Sequence, residues 1–536
     1  DIRNQLSEDY KFRTKSDTET IIAAYKKWGK ECFDYFEGMF SIVIIDHKKN
    51  RIILSRDLAG VKPMYYFFDG KNLFVSSEYK VFLKSNIIEK KIDQEALKKY
   101  IIFQTIPGKS NLVKGINKLI PGEIIEFDLG TCEKISSCQI KLKKYPKFKS
   151  YSEYYECLEE EIFYQMKIAT NTDLATGYHL SGGLDSNTLV SLTKKIRKDK
   201  NFFFVSSIID DESDHEYEYI REAASIYQND LNIVNINSKS FFDVFDQVIS
   251  FLDEPVGDPG VIPQYLVNEE ISKQAKIVYS GQGFDEFFFG YARNLAAYSS
   301  EKYGLSSFID AGPNLPKDIN EFFIGWDDFR KELKNLDNPN AKMINYVKLC
   351  RFNPFTFNPE LNTSFMNDLK QTAQDIFDDI DQISTSFSSF MYNSEVQIQL
   401  PSLLHMEDRV SMAHSVETRV PFCTNSIMSL AQKGNLEWKF YNNKTKGIIR
   451  EISKNLIPDI ILNRKKKIGR PVPFRKWFLQ NKDFIHTLKD MTVEIEDIYR
   501  SKGIIDYAIN NKNPFDRTLW GIWSLMKWKE IYKISY

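Results

Sequence analysis

The chain has 536 residues, enough for two or three domains that each bury a core. Its 72 basic and 73 acidic side chains nearly cancel, which excludes a general electrostatic pull toward nucleic acid or membrane. No apolar run approaches the roughly 20 residues a membrane span requires, and six scattered cysteines without metal-ligand spacing point to a reduced, cytoplasmic setting. Residues 1–142 read mainly as β-structure, after one helix over about 18–33 that carries Ile21, Ile22, Ala24, Tyr25 and Trp28 at helical spacing. Short apolar runs predict strands at 41–46, 51–55, 64–68 and 73–76, and Pro121-Gly122 and Asp128 to Gly130 punctuate a last hairpin. The Lys-rich stretch 141–149 is the expected linker. From about 150 the period changes. A helix over 151–168 leads to a strand ending near Leu180, and strands at 202–209, 232–237 and 276–280 alternate with helical patterns near 214–227, 239–252 and 262–275. Such alternation predicts a parallel sheet with helices on both faces and ligands at the carboxyl ends of its strands. Beyond about 295 the pattern is helical and aromatic-rich, with loop signals at 311–313 and 337–340.

Two glycine turns fall at predicted strand ends. Ser181-Gly182-Gly183-Leu184-Asp185-Ser186 follows the strand ending near Leu180, and Leu189, Val190 and Leu192 then recur at helical spacing. Strand, glycine turn and helix present free backbone N–H groups and a helix N-terminus to an anion. No lysine follows these glycines, unlike the GxxxxGK[ST] phosphate loop; an acid, Asp185, stands there instead. A carboxylate beside a polyphosphate makes sense with Mg²⁺ between them. The plain alternative is an ordinary glycine turn after a core strand. The loop resembles the pyrophosphate-binding loop of enzymes that split ATP into AMP and pyrophosphate. The second turn, Ser280-Gly281-Gln282-Gly283-Phe284-Asp285-Glu286, again follows a predicted strand and puts a carboxylate pair at a helix start. Asp285 alone reads as a helix-capping acid; paired with the first loop, Asp185 and Asp285 read as ligands gripping one Mg–pyrophosphate.

Further segments extend the likeness over essentially the whole chain. They are residues 12–19, 37–40, 56–63, 77–80, 106–108, 253–255, 446–450 and 463–466 and, the most specific, the run from Asp408 to Phe422. Together they resemble the glutamine-dependent asparagine synthetases. The resemblance implies an α+β N-terminal glutaminase-like β-sandwich domain, lacking its N-terminal segment, over 1–142. It implies an α/β parallel-sheet domain of the pyrophosphate-loop type with a helical C-terminal part, the adenylating asparagine synthetase domain, over 150–536. It further implies that ATP and Mg²⁺ activate the side-chain carboxylate of aspartate as an acyl-adenylate, which ammonia from glutamine converts to the amide. On that resemblance, Leu180, Ser280, Gly281 and Ser207 face the adenine, while Ser181, Gly182, Gly183 and Ser186 hold pyrophosphate. Asp185 and Asp285 hold the metal. Lys446, Glu286 and Gln282 serve catalysis, and Asp17 takes the amino group of glutamine. Without the resemblance, Lys446 reads as a solvated lysine at a helix start, Arg464 to Lys467 as a solvated charge run, and Arg409 with Glu417 as a structural ion pair. Expected partners are the small molecules aspartate, ATP, and glutamine or ammonia, with neither nucleic acid nor membrane; a homodimer is compatible with the sequence.

Two departures accompany the match. The chain starts at Asp1 inside a polar, helix-like stretch and reads as a fragment, without the Cys that serves the family's glutaminase as nucleophile. Position 282, where the family usually carries an acid, is Gln282. Alternatives are therefore a relative that amidates or cyclises another carboxylate, such as a surface sugar, β-lactam or peptide ligase, and a nucleotide-binding pseudoenzyme.

Overall fold

The computed structural model describes residues 2–85, 87–197, 202–210, 216–304, 363–464, 472–511 and 517–536. The loop signals at 311–313 and 337–340, and Lys465 to Lys467 of the charge run, lie outside them. In the first half, strands β1 (Ser41–Asp46), β2 (Arg51–Arg56), β3 (Tyr65–Phe68), β4 (Leu73–Ser76), β5 (Asn117–Lys118), β6 (Glu123–Asp128) and β7 (Lys134–Gln139) make two antiparallel sheets. Their orders are β1-β2-β6-β7 and β4-β3-β5. The continuous apolar run of β2 has a reason in this layering, because both faces of the strand are covered. Ile53 packs with Ala23, Ala24 and Tyr25 of the helix Asp17–Trp28, and Leu54, its neighbour, packs with Met64 and Tyr66 near and on the second sheet. That helix starts on the Ser16 side chain and stops at Gly29, whose φ of +63° suits glycine, so the expected 18–33 helix is cut short and continues as a 3-10 turn over Gly29–Tyr35.

The second half carries the expected parallel sheet, formed by β8 (Thr176–His179), β9 (Phe202–Ile209), β10 (Leu231–Ile236), β11 (Ile277–Tyr279) and a further strand, β12 (Glu417–Arg419), in the order β10-β9-β8-β11-β12. Every pairing is parallel. From β8 the chain steps outward to β9 and β10, then returns to place β11 on the other side of β8. The strand order therefore reverses at the β8/β11 boundary, where a parallel sheet opens a crevice. Tyr178 and Tyr279, paired in register there, stack at 4.9 Å in the core. The helical pattern near 239–252 resolves into two helices, Ser238–Asp243 and Phe245–Phe251, joined at Val244.

The two halves share more than a linker. Lys143 N–H donates to Asn425 Oδ1 at 2.8 Å, and the Asn425 amide returns a bond to the Lys141 carbonyl at 3.0 Å, so part of the expected linker is packed. The helix Gln94–Phe103 joins the large core of the second half: Tyr100 is fully buried and donates to the Gly521 carbonyl at 2.9 Å. Lys62 reaches Asp408 at 2.8 Å, and Arg409 reaches Asp408 at 2.5 Å and Glu78 at 3.0 Å. The expected Arg409–Glu417 pair does not form: Arg409 faces the first half from the helix Leu400–Met412, while Glu417, on β12, pairs with Arg419 at 2.7 Å. Among the described residues no helix is long and apolar enough to cross a membrane.

Candidate active site

The first glycine turn leaves β8 and enters the helix Leu184–Ile196 at Gly183. Side chains from its own helix set its shape. Ser186 Oγ lies 2.9 Å from Ser181 Oγ and 3.1 Å from the Ser181 carbonyl, and the Asn187 amide donates to the carbonyls of Ser181 and Gly183 at 2.8 and 2.7 Å. Ser186 thus fixes the loop from within. The Gly182 N–H donates to Glu216 Oε1 at 3.0 Å, and Arg464 donates to the Gly182 carbonyl at 2.9 Å. The Arg464 guanidinium also lies 3.6 Å from Glu216 Oε2, so a loop N–H and a cation converge on one carboxylate.

The second turn leaves β11 and opens the short helix Phe284–Phe287. The two turns touch: a Cβ on Gly281 would lie 3.0 Å from the Asp185 backbone and side chain. Across this contact Lys446 joins them, although 261 residues separate it from Asp185. Its ammonium lies 2.8 and 2.7 Å from the two Asp185 oxygens and 2.5 Å from Asp285 Oδ1. Lys446 is only 4% exposed, the reverse of a solvated lysine. Burial works against its charge and the two carboxylates more than offset that, so its pKa is raised above the usual lysine value. Gly290 makes room, because a Cβ there would lie 2.7 Å from Lys446 Cε and would collide with Asp285.

Around this junction lies a cavity of about 590 Å³ lined by Leu180, Ser181, Gly182, Gly183, Ser186, Ser207, Ser280, Gly281 and Gln282, with Asp185, Asp285 and Lys446. The structure thus brings the synthetase-side residues named from sequence to one cavity, with one outside it. Glu286 lies behind Asp285, fully buried, accepting a bond from the Tyr291 hydroxyl at 2.5 Å; burial first, then Asp285, pushes its carboxyl pKa up. Asp17 stands apart in the first half, exposed at the start of its helix, accepting from Thr18 N–H at 2.8 Å. Sequence reasoning missed His179, Glu216 and Glu407, which also line the cavity. Two of them lie beside segments already singled out: His179 stands two residues before Ser181, and Glu407 directly precedes the run from Asp408 to Phe422.

Lys439 shows the opposite electrostatic outcome. It ends the short helix Leu436–Lys439 with its ammonium 4.8 Å from the Phe289 ring centroid and 4.4 Å from that of Tyr392, and no described carboxylate pairs with it. Burial lowers its pKa to about 7. The unfolded chain holds that proton up to about pH 10, so between those values the unfolded state binds more protons and stability rises with pH. Below pH 7 the fold carries the full cost of the buried charge. Lys439→Met is expected to stabilise the chain at neutral pH by on the order of 2–3 kcal/mol, net of the lost cation–π contacts, with the gain shrinking toward about pH 10. Thermal midpoints measured at neutral and alkaline pH check this; a gain independent of pH refutes it.

The family profile described as asparagine synthase matches residues 158–530, which include both glycine turns and Lys446. The chain belongs to the asparagine synthase family. A second profile, the glutamine amidotransferase domain, matches residues 1–137. Among curated relatives in this family, asparagine synthetase [glutamine-hydrolyzing] 1 of Bacillus subtilis is 26% identical over 99% of this chain and 83% of its own. Putative asparagine synthetase [glutamine-hydrolyzing] 2 of Methanocaldococcus jannaschii is 32% identical over 59% of this chain and 63% of its own. Of solved structures, the ammonia-dependent NAD synthetase from Campylobacter jejuni aligns with 36% of this chain and 91% of its own, at 15% identity and a TM-score of 0.22.

Proposed function

We propose that the chain is an ATP- and Mg²⁺-dependent synthetase that activates the side-chain carboxylate of aspartate as an acyl-adenylate and then amidates it with ammonia drawn from glutamine. The observation that supports this reading most is the meeting of Asp185, Asp285 and Lys446 at the contact between two glycine turns. The donor chemistry fits magnesium: two carboxylates of hard oxygen already converge on one cation, the Lys446 ammonium, within 2.5–2.8 Å. Magnesium is commonly held by one or two carboxylates, with phosphate oxygens and water as its other ligands. Asp185 and Asp285 would hold the metal, which when bound supplies neutralisation of phosphate charge.

The remaining work belongs to the chain's own groups. Backbone N–H groups of the first turn and the N-terminus of Leu184–Ile196 receive pyrophosphate in the place where Glu216 now accepts from Gly182. Leu180, Ser207, Ser280 and Gly281 line the cavity and are the proposed contacts of adenine. Lys446 supplies positive charge to the phosphoryl oxygens as the carboxylate of aspartate attacks phosphorus and pyrophosphate leaves. Gln282 orients groups by hydrogen bonds and takes up no proton near neutral pH. In the first half, Asp17 is the proposed holder of the glutamine amino group. The test is exchange of labelled pyrophosphate into ATP across a panel of carboxylates. Aspartate-dependent exchange is expected; ADP and phosphate as products would overturn the adenylate reading, and exchange with another acid alone would overturn the choice of aspartate.

A further inference from the structure

Amide formation needs a proton acceptor, because an ammonium ion has no lone pair with which to attack a carbonyl carbon. The described acids lining the cavity are Asp185, Glu216, Asp258, Asp285 and Glu407. Four of them are committed. Asp185 and Asp285 hold Lys446; Glu216 holds the Gly182 N–H and lies 3.6 Å from Arg464; Asp258 pairs with Arg517 at 2.7 Å. Glu407 differs. It is 3% exposed, its Oε1 lies 3.4 Å from His179 Nδ1, and among the described residues its Oε2 has no hydrogen-bond partner. His179 Nε2, the far nitrogen of the same ring, is likewise buried without a partner. Buried polar atoms left without a partner are costly in a folded protein, and a ligand that donates hydrogen bonds would satisfy Glu407 Oε2.

Position adds to this. His179 is the last residue of β8, with only Leu180 between it and the first glycine turn. The parallel register pairs Tyr178 with Tyr279, so the next step sets His179 beside Ser280, one strand spacing of about 4.8 Å away, at the start of the second turn. Glu407 enters from the helix Leu400–Met412. The pair therefore stands at the β8/β11 boundary between both turns, in the cavity that holds Lys446.

We infer that His179 and Glu407 form the ammonium site of this cavity and accept the proton that ammonium must lose before it attacks the acyl-adenylate. The inference rests on the adenylate reading given above. Glu407 Oε2 accepts an N–H of the incoming cation, and His179, whose Nδ1 lies 3.4 Å from Oε1, holds the carboxylate in place. One proton passes from ammonium to Glu407 Oε2. The freed lone pair of nitrogen forms the C–N bond, the C–O bond to the phosphate of AMP breaks, and that electron pair leaves with AMP. The second proton lost by the adduct goes to the departing phosphate oxygen. Gln282, an amide, cannot substitute for the pair.

The experiment separates the two half-reactions in the full chain and in Glu407→Gln and His179→Gln. Pyrophosphate exchange with aspartate reports adenylation, amide yield with ammonium chloride reports the complete reaction, and hydroxamate yield with hydroxylamine, already unprotonated at neutral pH, reports acyl transfer without the proton step. In each variant exchange should stay within about 3-fold, amide yield from ammonium should fall by about 10²-fold, and hydroxamate yield should stay within about 3-fold. Equal loss of amide and hydroxamate would overturn the inference by assigning the pair a shaping role. So would unchanged amide yield, or loss of exchange in both variants, which would place the pair in adenylation. Absence of exchange in the unmodified chain, by contrast, sinks the adenylate reading itself, and the inference with it.

Discussion

Asp185→Asn and Asp285→Asn should each reduce pyrophosphate exchange on the order of 10³-fold or more, because each removes one of two negative charges that converge on a single cation position. The amide keeps the shape of the carboxylate, so packing is conserved while the charge is lost. Asparagine oxygen is a poorer ligand for a hard divalent ion. Lys446 would keep one carboxylate in either variant, which argues against gross unfolding; a thermal midpoint on the same samples establishes this. The double variant should lose little beyond the more damaged single one, since both acids serve one centre. Exchange that persists at near-parental rates in either variant would refute the placing of magnesium here.

Lys446→Ala should lower turnover by on the order of 10²-fold or more and leave nucleotide affinity within a few-fold. A charge that acts mainly as phosphorus is attacked contributes little to the ground state. The same substitution leaves Asp185 and Asp285 with no ammonium between them. Two carboxylates freed of an internal cation should then take magnesium at lower concentration, readable by metal titration without turnover. Collapse of nucleotide affinity with persisting turnover would make Lys446 a binding residue and overturn its assigned role.

Both glycine turns were legible in the sequence because their signals are local: an apolar run, glycines and a helix-starting acid follow one another within a few residues. The parallel sheet was legible for a similar reason, since β9 and β10 alternate with helices of ordinary length. Long-range partners were not legible from the residues themselves. Nothing near Lys446 announces that its ammonium meets a residue 261 positions earlier, and only the family likeness drew attention to it. Arg409 illustrates the reverse error. It was expected to form a structural ion pair with Glu417, but a turn separates helix from strand there, and the guanidinium faces Glu78 of the first half. β12 escaped notice because three residues carry too little periodicity to be read. Glu407 and His179 were missed because one histidine and one acid, 228 positions apart, form no motif until the fold brings them within 3.4 Å.

The helix Leu400–Met412 presents Glu407 to the cavity, while Asp408 and Arg409, the next two residues, reach Lys62 and Glu78 of the first half. Neighbouring positions on one rigid rod thus answer to two different bodies of the protein. The halves are consequently poor candidates for modular exchange. A chimaera that kept this helix and took its first half from elsewhere would strand Asp408 and Arg409 among mismatched charges, directly beside the residue that completes the cavity. The seam that has to be preserved in any graft therefore runs through the second half itself, along this helix, rather than through the connecting segment at 141–149.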